Sequence, residues 1–315
     1  MSLTASRAGA IQKLLKSDFL TLSGGTSGST KFCLDERMMS SVYTQADGSE
    51  MKSTIEQVEA LDLSLFEKID SETSTEDRRS LLAVQRATTR RHERYVYLEI
   101  GSHLGGSIQP HLVDSRCNRI YSIDPRPSQL PDDRSEVCVC NYENNSTERM
   151  IELLRVIAPN EVSKIQCFDM DASEVDPSQI TDRPQLALID GEHTQKAALS
   201  DFRFCNRVIS NDGTIVFHDF GIIFPAIREI CNSLDKKHLK YIPLKLEGSV
   251  FAIFFDTETI RSDPYLMSLY VLHKNLLLYY PLIHCFKSIL PISAWGTLKY
   301  YYNLWIWSRM KNNKH

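Results

Sequence analysis

The chain has 315 residues, 42% of them hydrophobic and 24% charged, with a formal net charge of −4. Such a composition describes a globular protein and excludes a collagen-like or wholly disordered one. A slightly acidic balance also argues against nucleic acid as a partner, since a dedicated binder would carry a clearly basic domain. Eight cysteines occur, none in a C-x-x-C pair, which removes zinc-ribbon and thioredoxin readings. Cys167, Cys205 and Cys231 fall in apolar periodic segments, where a thiol acts as a small core residue. A reducing, cytoplasmic setting is therefore expected. The N-terminal stretch lacks the apolar core of a secretory signal.

Residues 1–74 read as an extension. Gly24–Thr30, GGTSGST, is a loop: it lacks the lysine of a phosphate-binding loop and follows no apolar strand. Ser53 with Glu56, and Thr73 with Glu76, have capping-box spacing. The second pair should open an amphipathic helix in TEDRRSLLAVQRATTR. Strands and helices then alternate. Strands are expected at 95–100, 119–124, 164–168, 185–190 and 214–218, and helices near 106–114, 145–157, 194–209 and 222–234. Short apolar runs between helical patterns argue for βαβ units, a parallel sheet and a Rossmann-like, doubly wound α/β layer. Two further strands, 241–246 and 249–256, are separated only by Glu247 and Gly248. So short a link cannot hold a crossover helix, so they form an antiparallel hairpin. The cofactor-binding domain is thus expected over 75–256. Residues 257–315 should form a helical, aromatic and basic region. Beyond Asp263 it has no acidic residue, and no run reaches the ~20 apolar residues of a membrane span. It reads as a subdomain packed on the core or on a second copy of the chain, or as a cationic aromatic surface for peripheral membrane contact.

The strongest local signal is YVYLEIGSHLGGSI. A strand carrying Glu99 runs into Gly101, Ser102, Gly105, Gly106 and Ser107 before a helix. Glycine tolerates positive φ and close ligand approach, and free amides at the next helix start add polar recognition. The pattern is not the G-x-G-x-x-G of a dinucleotide fold. A second signal is Asp124, at the end of RIYSID about 20 residues beyond Gly101, where an acid can take both hydroxyls of a ribose. A third strand ends in CFDMDASEV. Asp169 or Asp171 would stand above the sheet there.

The chemical edge lies after the fourth and fifth strands. LALID is followed by Gly191, Glu192 and His193, and TIVF by His218 and Asp219. If these strands are neighbours their axes are about 4.8 Å apart, and Asp190 and Asp219 can face one point. Two carboxylates there repel unless a cation, a proton or a basic group lies between them. A divalent cation is one reading; a histidine-paired cluster is the other. His193 is the first candidate base, because it titrates near neutrality, and Glu192 the second. His218 is expected to orient Asp219 or to line the pocket.

LEIGSHLGGS, YSIDP, LALIDGEHT and DFRFCNRVISNDGTIVFHD resemble a methyltransferase family. Over residues 95–234 the chain is similar to methyltransferase family 24, related to macrocin-type and catechol-type O-methyltransferases. The resemblance implies a class I fold whose parallel sheet ends in an antiparallel hairpin, with S-adenosylmethionine as cofactor. It further implies that the glycine turn wraps the methionine part and that an acid after the third strand takes the adenine amino group, Asp171 rather than Asp169 because Asp-Ala follows the family's motif order. In metal-dependent relatives, acids after the fourth and fifth strands hold Mg²⁺. Asp190 and Asp219 match two of those ligands and Phe220 stands where a third would be, which puts the metal in doubt. The expected reaction is methylation of a small-molecule or sugar hydroxyl. Two other readings stand beside it. A nicotinamide oxidoreductase would need the dinucleotide loop and a parallel sixth strand. A non-catalytic cofactor-binding module in glycan or lipid assembly is suggested by the basic aromatic tail and the missing third ligand.

Overall fold

A computed structural model describes residues 52–134 and 139–273. The GGTSGST loop, Cys138 and the aromatic, basic stretch beyond His273, with its expected membrane or self-association contact, lie outside the described residues. Among the described residues no helix is long and apolar enough to cross a membrane.

Strand β1 (Tyr95–Ile100) shows why the sheet is central. All six of its residues are buried. Because side chains alternate across a strand, Val96, Leu98 and Ile100 enter one core while Tyr95 and Tyr97 enter the other. A parallel strand buried on both faces needs helices on both. On one side lie α5 (Gln195–Val208) and α6 (Phe220–Lys236), contributing Phe202, Cys205, Ile223 and Ile227. On the other lie α2 (Thr75–Arg91), α3 (Gln109–Val113), α4 (Thr147–Ile157) and α8 (Pro264–His273), contributing Val84, Leu112, Leu154 and Leu266.

The remaining sheet strands are β2 (Cys117–Ile123), β5 (Ile165–Phe168), β6 (Leu186–Ile189), β7 (Thr214–Phe217), β8 (Ile242–Lys245) and β9 (Phe251–Phe254). They stand in the order β5-β2-β1-β6-β7-β9-β8. Pairs from β5 to β7 are parallel; β7–β9 and β8–β9 are antiparallel. The sheet is therefore Rossmann-like with the expected closing hairpin. From β1 the chain moves outward to β2 and β5, then returns beside β1 as β6. That reversal opens a crevice at the carboxyl ends of β1 and β6, where open α/β sheets bind ligands.

Two local findings differ from expectation. Helix α2 is capped one residue later than Thr73 and Glu76 suggest: Ser74 is the N-cap and Asp77 completes the box. ETSTED offers two overlapping frames, and the helix takes the one that starts it at Thr75. Ser53 and Glu56 do cap α1 (Thr54–Ala60). A short exposed hairpin, β3 (Gln129–Pro131) with β4 (Val139–Asn141), lies in a stretch that carries no strand pattern. Beyond β9, α7 (Thr257–Arg261) precedes α8.

Candidate functional site

The ends of β1, β2, β6 and β7 surround one cavity at the reversal point. Gly101 makes the first wall possible. Its φ is +88°, and a Cβ there would lie 2.2 Å from the Asp190 carbonyl oxygen. Only a residue without a side chain lets the turn after β1 close against the end of β6. The His103 N–H then donates to Asp124 Oδ2 at 2.8 Å, and the Arg126 N–H to Asp124 Oδ1 at 2.8 Å. The Arg126 guanidinium donates to the His103 carbonyl and stands 3.4 Å from Asp124. Asp124 is thus buried against the glycine turn and lines the cavity.

Ser102, Gly106 and Ser107 also line it, as does Asp171. Asp169 does not; it accepts from Thr147 at 2.5 Å. Two of the expected cofactor residues are corrected. Glu99 shares the strand face of Tyr97 and points away from the cavity into the second core, accepting from Tyr97 Oη at 2.7 Å and Ser107 Oγ at 2.5 Å. Burial pushes its carboxyl up to about 7, and those two bonds offset this only in part. Gly105 faces α4, where a Cβ would meet Leu154 and Met150.

On the opposite wall, acids and histidines form a paired cluster. His193 Nε2 lies 2.9 Å from Asp219 Oδ2, and its Nδ1 lies 3.0 Å from Asp132 Oδ2. Burial disfavours the charged ring, but the bond and charge of Asp219, with Asp190 and Asp132, outweigh it and push His193 up to about 9. His218 Nδ1 lies 3.0 Å from Asp190 Oδ1 and 3.5 Å from Asp219. On its other side, Nε2 meets Ser249 Oγ at 3.0 Å and Asp77 Oδ2 at 3.4 Å. Burial is again opposed by these carboxylates, Asp190 first, and His218 is raised well above its ordinary value. Burial would lift Asp219, yet its two imidazole partners hold it well below the carboxylate range. Asp219 also adopts φ +51°, a left-handed conformation that costs a non-glycine residue about 1–2 kcal/mol. Glu192 lines the cavity, with Oε1 accepting from Thr194 Oγ1 at 2.6 Å.

Sequence reasoning brought Asp190, Asp219, His193 and His218 together but missed Asp77, Asp132, Arg134 and Ser249. Arg134 stands 3.4 Å from Asp132 and 3.6 Å from Asp219. Asp132 and Arg134 sit beside the unrecognised β3, and Asp77 is one residue past the expected cap.

A sheet of this topology, with a glycine turn and an acid after β2 at its reversal point, has the layout that the resemblance to class I methyltransferases implies. Residues 98–220 match a family model described as a methyltransferase domain, that of methyltransferase family 24. Over 172 residues the chain is 23% identical to the uncharacterised protein R132 of Acanthamoeba polyphaga mimivirus, a match covering 51% of this chain and 69% of that protein. Among solved structures, the O-methyltransferase NovP aligns over 55% of this chain and 78% of its own at 12% identity and a TM-score of 0.44. The calicheamicin methyltransferase CalS11 aligns over 67% and 98% at 14% identity and a TM-score of 0.42. MycE, a methyltransferase of the mycinamycin pathway in complex with Mg and SAH, aligns over 64% and 56% at 12% identity and a TM-score of 0.41.

For the cofactor the residues fit: Gly101, Ser102, Gly106 and Ser107 of the turn line the cavity, and Asp124 and Asp171 add acceptors to it. For magnesium they do not. Asp190, His193 and Asp219 present ligand atoms within 4.8 Å of one another, as do Asp132, Cys140 and His193. Magnesium demands an octahedron of oxygens, whereas these sets include imidazole or thiol. Phe220, at the third position, is buried and stacks on Phe251 at 5.3 Å.

Proposed function

We propose that the chain transfers a methyl group from S-adenosylmethionine to a hydroxyl oxygen of a small molecule or sugar. One observation carries this reading. A single cavity joins the glycine turn and Asp124 to the Asp190–His218 and Asp219–His193 pairs. When bound, the cofactor supplies an electrophilic sulfonium methyl for in-line displacement, a reaction in which positioning contributes heavily.

The turn at Gly101 holds the methionine part, Asp124 accepts from the ribose hydroxyls, and Asp171 accepts from the adenine amino group. Asp70 to Thr73 line the same cavity from the N-terminal extension and form the acceptor wall. His193 was the first choice as base. With both ring nitrogens engaged and its proton held up to about 9, it acts near neutrality as a fixed cation instead. His193 takes one oxygen of Asp219, and His218 one oxygen of Asp190. The second oxygen of Asp190 accepts from the acceptor hydroxyl and would take its one proton as the C–O bond forms and the sulfonium C–S bond breaks, while Asp219 keeps the His193 imidazolium in place beside it. Glu192 stands second for that role. Charge balance is supplied by the two imidazoles, and no step is assigned to magnesium.

Calorimetry with S-adenosylhomocysteine, followed by a labelled-methyl acceptor screen, tests the reading. Asp190→Asn is expected to keep cofactor affinity while losing roughly a hundredfold or more in turnover. Failure of the chain to bind S-adenosylhomocysteine, or full turnover in Asp190→Asn, would refute it.

A further inference from the structure

Helix α5 carries an acid where its pattern calls for a core residue. Ala198, Asp201, Phe202, Cys205 and Val208 form its buried stripe, at the spacing of one helix face. Asp201 is only 9% exposed, yet among the described residues no hydrogen bond or ion pair reaches its carboxyl. A carboxyl set this deep without a protein partner leaves its hydrogen-bonding capacity to whatever occupies the space beside it. This one lines the cofactor cavity, together with Asp171, Ala172 and Ala197. Its Oδ2 lies 3.6 Å from the space a Cβ on Gly191 would occupy, so it sits beneath the backbone that follows β6.

The charged groups around it carry one sign. Asp171 faces it from the loop after β5 and Glu192 from the loop after β6, while Cys205 lies one turn further along its own helix. Burial, then Asp171 and Glu192, push the carboxyl up to about 7. In its neutral form a carboxyl offers one O–H donor and one carbonyl acceptor side by side. Adenine presents the complement, a ring-nitrogen acceptor beside an amino donor.

We propose that the Asp201 carboxyl reads the adenine of the cofactor, donating to a ring nitrogen and accepting from the 6-amino group. The inference rests on the cavity being the S-adenosylmethionine site. It assigns base recognition to a neutral acid on α5 in addition to the carboxylate of Asp171. Selectivity for adenine over a 6-oxo purine follows, because the 6-oxo base reverses both positions.

The test is calorimetry of S-adenosylhomocysteine binding to the 315-residue chain and its Asp201→Asn and Asp201→Ala variants. In the unsubstituted chain, affinity is expected to fall roughly tenfold between about pH 6 and about pH 8.5, as the carboxyl ionises. Asp201→Asn keeps a donor and an acceptor in one plane, so it should bind within roughly threefold of the parent at the lower pH and lose the pH dependence. Asp201→Ala should bind weakly at both. Tight but pH-independent binding by the parent overturns the role of Asp201 and leaves the cofactor reading standing. So does an Asp201→Asn variant with the parent's pH dependence, or an Asp201→Ala variant with the parent's affinity. No binding by the parent at either pH overturns both.

Discussion

Gly101→Ala probes the contact on which both halves of the cavity depend. At φ +88° an alanine pays about 1–2 kcal/mol for the left-handed backbone. Its Cβ would also sit 2.2 Å from the Asp190 carbonyl oxygen and 2.6 Å from Gly191 Cα. Both neighbours are backbone, so neither can rotate away. They are also pinned: Asp190 N–H donates to Ile100 O at 2.9 Å, and Gly101 N–H to Ile123 O at 2.9 Å. Separating β1 from β6 to make room is an overpacking event of about 1–3 kcal/mol. The expected destabilisation is therefore about 3 kcal/mol in all, read as a lower urea midpoint at unchanged slope. The same displacement moves the Asp190 carboxylate and opens the turn, so S-adenosylhomocysteine affinity should fall by roughly tenfold or more. A variant with the parent's midpoint and the parent's affinity would show that the turn does not bear on Asp190, and the reasoning would fail.

Other outcomes follow from the charges. His193 is raised from 6.5 to about 9 in the folded chain, so its contribution is fully present below 6.5 and lost as pH rises through 9. At ~1.4 kcal/mol per pKa unit this amounts to about 3 kcal/mol. The stability deficit of His193→Gln, measured by denaturant titration, should accordingly be larger by about that amount near pH 6 than near pH 9.5; an equal deficit at both would count against the ion-pair assignment. Asp124→Ala removes a buried acceptor from the proposed ribose site and should weaken S-adenosylhomocysteine binding by roughly tenfold to a hundredfold. An unchanged dissociation constant would remove the ribose role.

The parts of the molecule legible in the sequence were those governed by short-range pattern. YVYLEI is apolar at nearly every position, as a strand covered on both faces must be, and β1 runs from Tyr95 to Ile100 as expected. The meeting of Asp190 and Asp219 followed from strand adjacency, since both end neighbouring parallel strands. Strand parity places Glu99 on the face of Tyr95 and Tyr97, whereas its position just before the glycine turn suggests a cofactor contact. What escaped depends on long-range contact. Asp132 reaches His193 from beside an exposed three-residue strand with no hydrophobic alternation. Asp77 reaches Ser249 and His218 across most of the domain. Asp201 differs: its misfit in an apolar helical stripe was visible, and only the cavity beside it gave the misfit a meaning.

Asp77 closes the cap of α2, accepts the Ser249 N–H at 2.6 Å in the turn between β8 and β9, and stands 3.4 Å from His218. Ser249 meets the same imidazole. One side chain is therefore a junction for three distant stretches, two of which fall outside residues 98–220. Excising the family segment would strip His218 of two of its neighbours. A segment that keeps this junction whole has to begin before α2 and end after β9.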